Sequence, residues 1–124
     1  MQRTKSGGMM GRLSTHILDT ANGIPAANVD IRLYMHGDER LLKASVSSNE
    51  DGRTTGPLLE GAAMQAGTYE LEFDTGAYFK ARGADTGEPA FLDTVVIRFS
   101  IAADQNYHIP LLVSPWSYST YRGS

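Results

Sequence analysis

Polar and apolar residues alternate with a period of two along most of this chain. Between Leu13 and Leu18 the odd positions form one set and the even positions, which include His16, form the other. Successive side chains of a β-strand point to opposite faces, so this period predicts strands that bury one face and expose the other. The same period returns in four further runs, at 29–35, 69–73, 95–101 and 107–113.

The segments between these runs are rich in residues that favour turns. Glycine, asparagine, aspartate or proline punctuate the chain at 21–25, 36–39, 49–52, 60–61, 66–67 and 83–89. With the shorter segments that these turns separate, the chain has about eight predicted strands, and their spacing is typical of an all-β sandwich rather than of βαβ units.

One segment departs from the strand pattern. Asp74 or Thr75 is suited to cap a short helix over 77–82, and Gly83 follows where a left-handed C-terminal cap is favoured. Tyr78 and Phe79 are expected to pin this helix to the sandwich. The sequence therefore predicts an all-β sandwich with one short helix.

Length and charge exclude several classes of protein. A chain of 124 residues is expected to form one domain, with residues 1–10 as a disordered lead and 11–124 as the domain. Its net charge of -3 gives no electrostatic reason to expect a nucleic acid or an anionic membrane as partner.

The absence of cysteine excludes disulfides and thiolate metal sites. No apolar stretch reaches the ~18 residues of a membrane helix. Without a recognisable targeting segment, a cytoplasmic location is expected.

Two histidines, His16 and His108, fall in the polar phase of their strands. If the apolar set of each strand fills the core, both imidazoles point onto the outer face of a sheet. Leu18 and Leu112 share that face, which makes it less polar than a solvated sheet surface. A second subunit is therefore expected to cover it.

Arg53 and the end of the chain are the remaining candidates for chemistry. Arg53 follows a turn glycine at the start of a short strand, and the chain ends Tyr-Arg-Gly-Ser at 121–124. A lone arginine is usually a surface charge, and a histidine in a β-protein is usually structural. Together with two outward imidazoles, however, a guanidinium suits a carbonyl-rich substrate, because its planar fork gives paired hydrogen bonds that lysine cannot give.

Three segments resemble the 5-hydroxyisourate hydrolase family, the transthyretin-related enzymes of purine breakdown. They are Leu-Ser-Thr-His-Ile-Leu-Asp at 13–19, Gly-Arg-Thr at 52–54, and His-Ile-Pro-Leu-Leu-Val-Ser-Pro-Trp-Ser-Tyr-Ser-Thr-Tyr-Arg-Gly-Ser at 108–124. The resemblance implies a transthyretin-like sandwich of two four-stranded sheets with one short helix. It also implies a homotetramer whose sites open at the dimer–dimer interface.

The resemblance implies the reaction as well. The family opens the ring of 5-hydroxyisourate to 2-oxo-4-hydroxy-4-carboxy-5-ureidoimidazoline by hydrolysis, without a cofactor. Its catalytic residues fall on His16, Arg53 and His108. His16 and Arg53 are also expected to bind substrate, together with the family's terminal signature, which falls on Tyr121, Arg122, Gly123 and Ser124.

The residue chemistry fits that reaction. A neutral imidazole can take a proton from water near neutral pH while donors stabilise the developing oxyanion. Which of the two histidines is the base stays open. Tyr121 and the Ser124 carboxylate would position a histidine or the substrate, and Ser114 and Ser119 are secondary candidates.

Other interpretations remain. A zinc site is disfavoured because His16 and His108 lack ligand-spaced partners. His36 is expected to be a solvated loop residue. No Gly-x-Ser-x-Gly elbow supports a serine nucleophile.

The main rival is a small-molecule carrier like transthyretin, which shares the sandwich and the tetramer but holds an apolar ligand in its channel. A third reading is a structural β-sandwich with no site.

Overall fold

The computed structural model describes residues 11–102 and 104–123, and in this part of the chain it forms a β-sandwich. The strands are β1 (Arg12–Asp19), β2 (Ile24–Pro25), β3 (Asp30–His36), β4 (Arg40–Ser47), β5 (Leu59–Glu60), β6 (Gly67–Phe73), β7 (Val95–Ile101), β8 (Asn106–Val113) and β9 (Tyr118–Thr120). A 3₁₀ turn covers Gly61–Ala63, and helix α1 (Thr75–Ala81) follows β6. The predicted lead at 1–10 and the predicted role of Ser124 lie outside the described residues.

The strands form two sheets. One has the order β2-β1-β8-β9, with β5 also paired to β1, and the other has the order β4-β3-β6-β7. All paired strands are antiparallel except β1 and β8, which run parallel. The predicted all-β sandwich with one short helix is confirmed. The first sheet has a fifth strand because the two-residue strands β2 and β5 pair with opposite ends of β1.

The core lies between the sheets and is built from the apolar phase of each run. Leu13 and Ile17 on β1 are fully buried, and so is Leu111 on β8. Their strand neighbours His16 and His108 are only half-buried, on the opposite face. The alternation therefore fixes one side of the first sheet against the core and turns the other outward.

Helix α1 closes one end of the sandwich. Tyr78 and Phe79 are buried and meet edge to face, with ring centroids 4.9 Å apart, so they pin the helix as expected. Asp74 occupies the N-cap position but makes no side-chain cap bond. Its carboxylate instead accepts two hydrogen bonds from Arg32, at 2.9 and 2.7 Å. No helix within the described ranges is long and apolar enough to cross a membrane.

Candidate active site

The parallel pairing of β1 with β8 brings the two outward histidines together. His16 lies opposite Pro110 in the register, and His108 lies opposite Ser14. The imidazole centroids are 6.2 Å apart, with the ring planes inclined by 36°. Two side chains from distant parts of the sequence therefore share one patch of the outer sheet face.

A tight turn at 49–53 delivers Arg53 to the same patch. The amide of Ile17 donates to the carbonyl of Gly52 at 2.8 Å, and Arg53 forms an isolated antiparallel bridge with His16. Gly52 has a φ of +74°, and a Cβ there would overlap the carbonyl oxygen of Ile17. Only glycine fits this position, so the turn that precedes Arg53 depends on it. The Arg53 side chain is exposed.

The C-terminal segment also reaches this patch. Strand β9 pairs with the end of β8, and beyond it the amide of Gly123 donates to the carbonyl of His108 at 2.7 Å. A Cβ on Gly123 would lie 3.1 Å from Cδ2 of His108, so the backbone packs tightly against this histidine. Tyr121 is 62% exposed. The residues that precede Ser124 are thus held in the sheet.

Arg122 lies away from the two histidines. Its guanidinium sits 4.3 Å from the ring centre of Tyr107 and donates to Oε1 of Gln105 at 3.2 Å and to the carbonyl of Asn106 at 3.3 Å. Tyr107 and His108 are successive strand residues and point to opposite faces. The geometry therefore gives Arg122 an anchoring contact, and its role as a substrate ligand stays a prediction.

The two secondary serine candidates lie at the C-terminal end of β8, and their role stays a prediction. Ser114 lies in a turn, where its Oγ is within hydrogen-bond distance, 3.0 Å, of Oγ of Ser117. Ser119 is exposed on β9, opposite Leu112 in the register.

The surroundings of both imidazoles lower their pKa and so favour the neutral form. Burial is the main cause that lowers the pKa of His16, and the positive charge of Arg53 lowers it further, against a smaller opposing effect of the Asp51 carbonyl and carboxylate. The pKa of His108 is lowered by burial, then by Arg53 and by His16. Near neutral pH both rings can therefore accept a proton.

Ser14 is the site residue that sequence reasoning missed. Its Oγ lies 2.8 Å from Nδ1 of His108. It also lines a small depression of about 150 Å³. The other residues that line this depression are Arg12, Thr15, Arg53, Thr54, Gly56 and Pro57. The signal was present, because Ser14 has the same strand phase as His16, but a serine in a polar phase is not distinctive without its cross-strand partner.

His36 is not the solvated loop residue that the sequence suggested. It is the last residue of β3, and its Nε2 lies 3.0 Å from Oε1 of Glu70. The ring is half-buried, and it lies on the other sheet from His16 and His108. Within 11–102 and 104–123, no three histidine, cysteine, aspartate or glutamate side chains cluster as a metal site would require.

The chain is similar to known proteins over most of its length. Residues 13–123 match the model of the HIUase/Transthyretin family. A Rhizobium meliloti (strain 1021) protein named 5-hydroxyisourate hydrolase 2 is 56% identical over 116 residues, which cover 92% of this chain and 97% of that protein.

Two solved structures share the fold. The 5-hydroxyisourate hydrolase of Klebsiella pneumoniae superposes with a TM-score of 0.78 at 36% identity, over 93% of this chain and all of that one (100%). Sea bream transthyretin in complex with thyroxine superposes with a TM-score of 0.81 at 27% identity, over 90% of this chain and 94% of that chain. The fold is therefore shared by a 5-hydroxyisourate hydrolase and by a transthyretin solved in complex with thyroxine.

Proposed function

The chain belongs to the HIUase/Transthyretin family, and we propose that it is a 5-hydroxyisourate hydrolase, which opens the substrate ring by water attack to give 2-oxo-4-hydroxy-4-carboxy-5-ureidoimidazoline. The observation that carries this proposal is the convergence of His16, His108 and Arg53 on one sheet face. The identity to the Rhizobium enzyme over nearly the whole chain supports the substrate.

The two imidazoles divide the proton transfers in this proposal. One neutral ring takes a proton from water as the water oxygen attacks the ring carbonyl. This proton passes to the other ring, which delivers it to the departing ring nitrogen as the carbon–nitrogen bond breaks, so both rings end neutral. The lowered pKa values of both histidines keep a proton acceptor available near pH 7. A centroid separation of 6.2 Å lets both rings reach atoms of one small planar substrate.

Arg53 stabilises the charge that develops on the carbonyl oxygen. Its guanidinium donates in the plane of the substrate, where a tetrahedral oxyanion forms. We propose that Tyr121 and Ser124 position the substrate or a histidine, with Gly123 packed against His108. Arg122 contributes by anchoring the same segment over Tyr107.

We propose that the protein is a homotetramer with sites at the dimer–dimer interface. The patch lies on an open sheet face and is shallow, whereas small-molecule sites bury most of their ligand. Leu18 and Leu112 lie directly opposite each other on this face and are half-buried. A second copy that covers them would also close the site. The cytoplasmic location stays a prediction, which fractionation of host cells would test.

A carrier function is the alternative that the fold leaves open. A channel for an apolar ligand would be lined by apolar and small side chains, whereas this patch carries two imidazoles, a guanidinium and the Ser14 hydroxyl. This polarity favours catalysis over carriage.

The decisive experiment mixes purified protein with freshly made 5-hydroxyisourate and follows the ultraviolet decay. We expect decay far faster than in buffer, with the product identified by ¹³C NMR. The variant that carries both His16→Asn and His108→Asn is the matched negative, and it should decay near the buffer rate. If the unaltered protein gives decay no faster than buffer, the hydrolase proposal is wrong and the carrier or structural interpretation gains.

A further inference from the structure

Ser14 makes a hydrogen bond that fixes one nitrogen of the His108 ring. It lies directly opposite His108 across the parallel pair of β1 and β8, and its Oγ is 2.8 Å from Nδ1. Both side chains are half-buried. Among the described residues, this is the one side-chain hydrogen bond of the His108 ring. It therefore sets how the ring is turned, and it leaves Nε2 as the nitrogen free to meet substrate.

A serine hydroxyl suits a ring that changes its protonation. The hydroxyl can donate one hydrogen bond and accept two, whereas each imidazole nitrogen is either a donor or an acceptor at a given moment. When Nε2 carries the only ring proton, the Ser14 hydroxyl donates to Nδ1. When Nδ1 carries the only ring proton, it donates to the Ser14 oxygen and Nε2 can accept a proton, and the imidazolium that then forms keeps the same bond from Nδ1. No other group has to move for the bond to persist through the transfer.

The neighbouring residues do not duplicate this contact. Thr15 faces the core, and its hydroxyl donates to the carbonyl of Ile109 at 2.7 Å. The charged and titratable groups around Ser14 and His108 are Arg12 and His16 on β1 and Arg53 on the 49–53 turn, and the register sets Tyr121 beside β8. Arg12 and Arg53 cannot accept a hydrogen bond from Nδ1.

We propose that Ser14 is a positioning residue for ring opening, which holds Nδ1 of His108 and directs Nε2 at the substrate. This inference rests on the proposed function, because it assigns Ser14 a part in the same reaction. With this role, the site consists of two imidazoles, a guanidinium and the Ser14 hydroxyl, which acts through the imidazole of His108.

The kinetic test compares Ser14→Ala with Ser14→Thr, which keeps the hydroxyl on a residue that strands favour. We expect Ser14→Ala to lower kcat about tenfold with little change in KM, on the scale of one lost hydrogen bond. The acid limb of its pH profile should move to lower pH, because the imidazolium loses its acceptor. Ser14→Thr should recover most of the rate. Ser45→Ala, an exposed serine on β4 of the other sheet, is the matched control and should behave as unaltered protein.

A second measurement does not depend on turnover. In protein labelled with ¹⁵N-histidine, the Nδ1 and Nε2 shifts of His108 report its tautomer and hydrogen bonding. We expect these shifts to change in Ser14→Ala and to be restored in Ser14→Thr. If Ser14→Ala does not fold, Ser14→Cys supplies the comparison, because it keeps the volume but is a weaker donor and acceptor.

The outcomes separate the two proposals. A Ser14→Ala protein with unaltered kcat, pH profile and His108 shifts would overturn the role of Ser14 and leave the hydrolase proposal standing. Unaltered protein without turnover would overturn the hydrolase proposal, while the ¹⁵N shifts would still decide whether Ser14 orients His108.

Discussion

Both imidazoles of the site lie beside one guanidinium, and this neighbour sets how activity should depend on pH. Burial and then Arg53 lower the pKa of each ring from the ordinary value of 6.5. The neutral form, which can act as the base, therefore survives to lower pH than it would in an isolated histidine. The unfolded chain binds protons at higher pH than the folded one, so the folded state also loses stability as pH falls below 6.5.

Replacing the guanidinium should move the acid limb of the rate profile. We expect kcat/KM of the unaltered protein to fall only below pH 6.5. In Arg53→Gln the limb should move upward toward that ordinary value, because one of the causes that lower both pKa values is gone. The rate at the plateau should also fall, since the oxyanion loses its charged donor. A limb that does not move in Arg53→Gln would show that Arg53 does not lower the two pKa values.

His108 provides the direct test of the proton-transfer assignment. We expect His108→Asn to fold normally and to slow ring opening by about a hundredfold or more, the scale of general acid–base effects. The matched control is His36→Asn, whose imidazole lies on the other sheet and contacts Glu70. Stopped-flow ultraviolet decay measures both. Near-normal turnover in His108→Asn, or an equal loss in His36→Asn, would contradict the assignment.

The alternation indicated which side chains point outward, and the sequence predicted that His16, His108 and Arg53 share one site, but it gave no sign of the contact between Ser14 and His108. The period of two placed His16, His108 and Ser14 in the polar phase of their strands, since side-chain alternation is a local property. The contact between Ser14 and His108 depends on the parallel pairing of β1 with β8 and on its register. Neither can be derived from local alternation, because the two strands lie far apart in the chain.

At the scale of elements, the backbone geometry of the 49–53 turn determines where Arg53 lies. The side-chain oxygen of Asn49 accepts from the amides of Asp51, at 2.9 Å, and Arg53, at 3.2 Å, and Gly52 supplies the left-handed conformation between them. The turn then docks against β1 through the Ile17 amide. Arg53 reaches the histidines because this turn has one available geometry.

Gly52→Ala should disturb that geometry. The added methyl carries both the strain of a positive φ and an overlap with the Ile17 carbonyl, so we expect a loss of about 1–3 kcal/mol or more in the free energy of unfolding. Activity should fall further than stability, because Arg53 is displaced. Gly37→Ala is the matched control, since that position lacks a positive φ and its nearest atom is 3.7 Å away. Urea unfolding and ring-opening rates measure both, and equal stability of the two variants would contradict this account.

Elements with a long repeating pattern could be predicted, and short ones could not. Five long strands follow the alternation, but β4 is exposed at nearly every position and shows no such period, and β2 and β5 have two residues each, too few to show one. The helix was expected from its cap and its aromatic pair, and it begins at Thr75. The cap itself differs because Arg32, from another strand, holds the Asp74 carboxylate. Such long-range competition leaves no local trace in the sequence.

On the scale of the whole molecule, the two outer sheet faces differ in character. The face of the four-stranded sheet carries a network of ion pairs. Its members are Arg32 with Glu72 and Asp74, Arg40 with Glu70 and Glu72, Arg98 with Glu70, and His36 with Glu70. These pairs suit a solvated surface, where they add little stability individually. The opposite face holds the histidines together with Leu18 and Leu112, and it is the face we expect a second copy to cover.

A carboxylate introduced on each outer sheet face should distinguish a face that is buried between copies from one that is exposed to solvent. We expect Leu112→Glu to disrupt the tetramer, because a carboxylate buried without a partner costs about 3 kcal/mol or more. Activity should fall with assembly, since the proposed second copy would close the site. Leu42→Glu is the matched control, because Leu42 is 56% exposed on β4 of the other sheet and its variant should remain tetrameric and active. Size-exclusion chromatography with light scattering gives the assembly state of both. An unaltered protein that is monomeric and fully active would show that each site is complete within one chain, and a Leu112→Glu variant that stays tetrameric would show that Leu112 lies outside the interface.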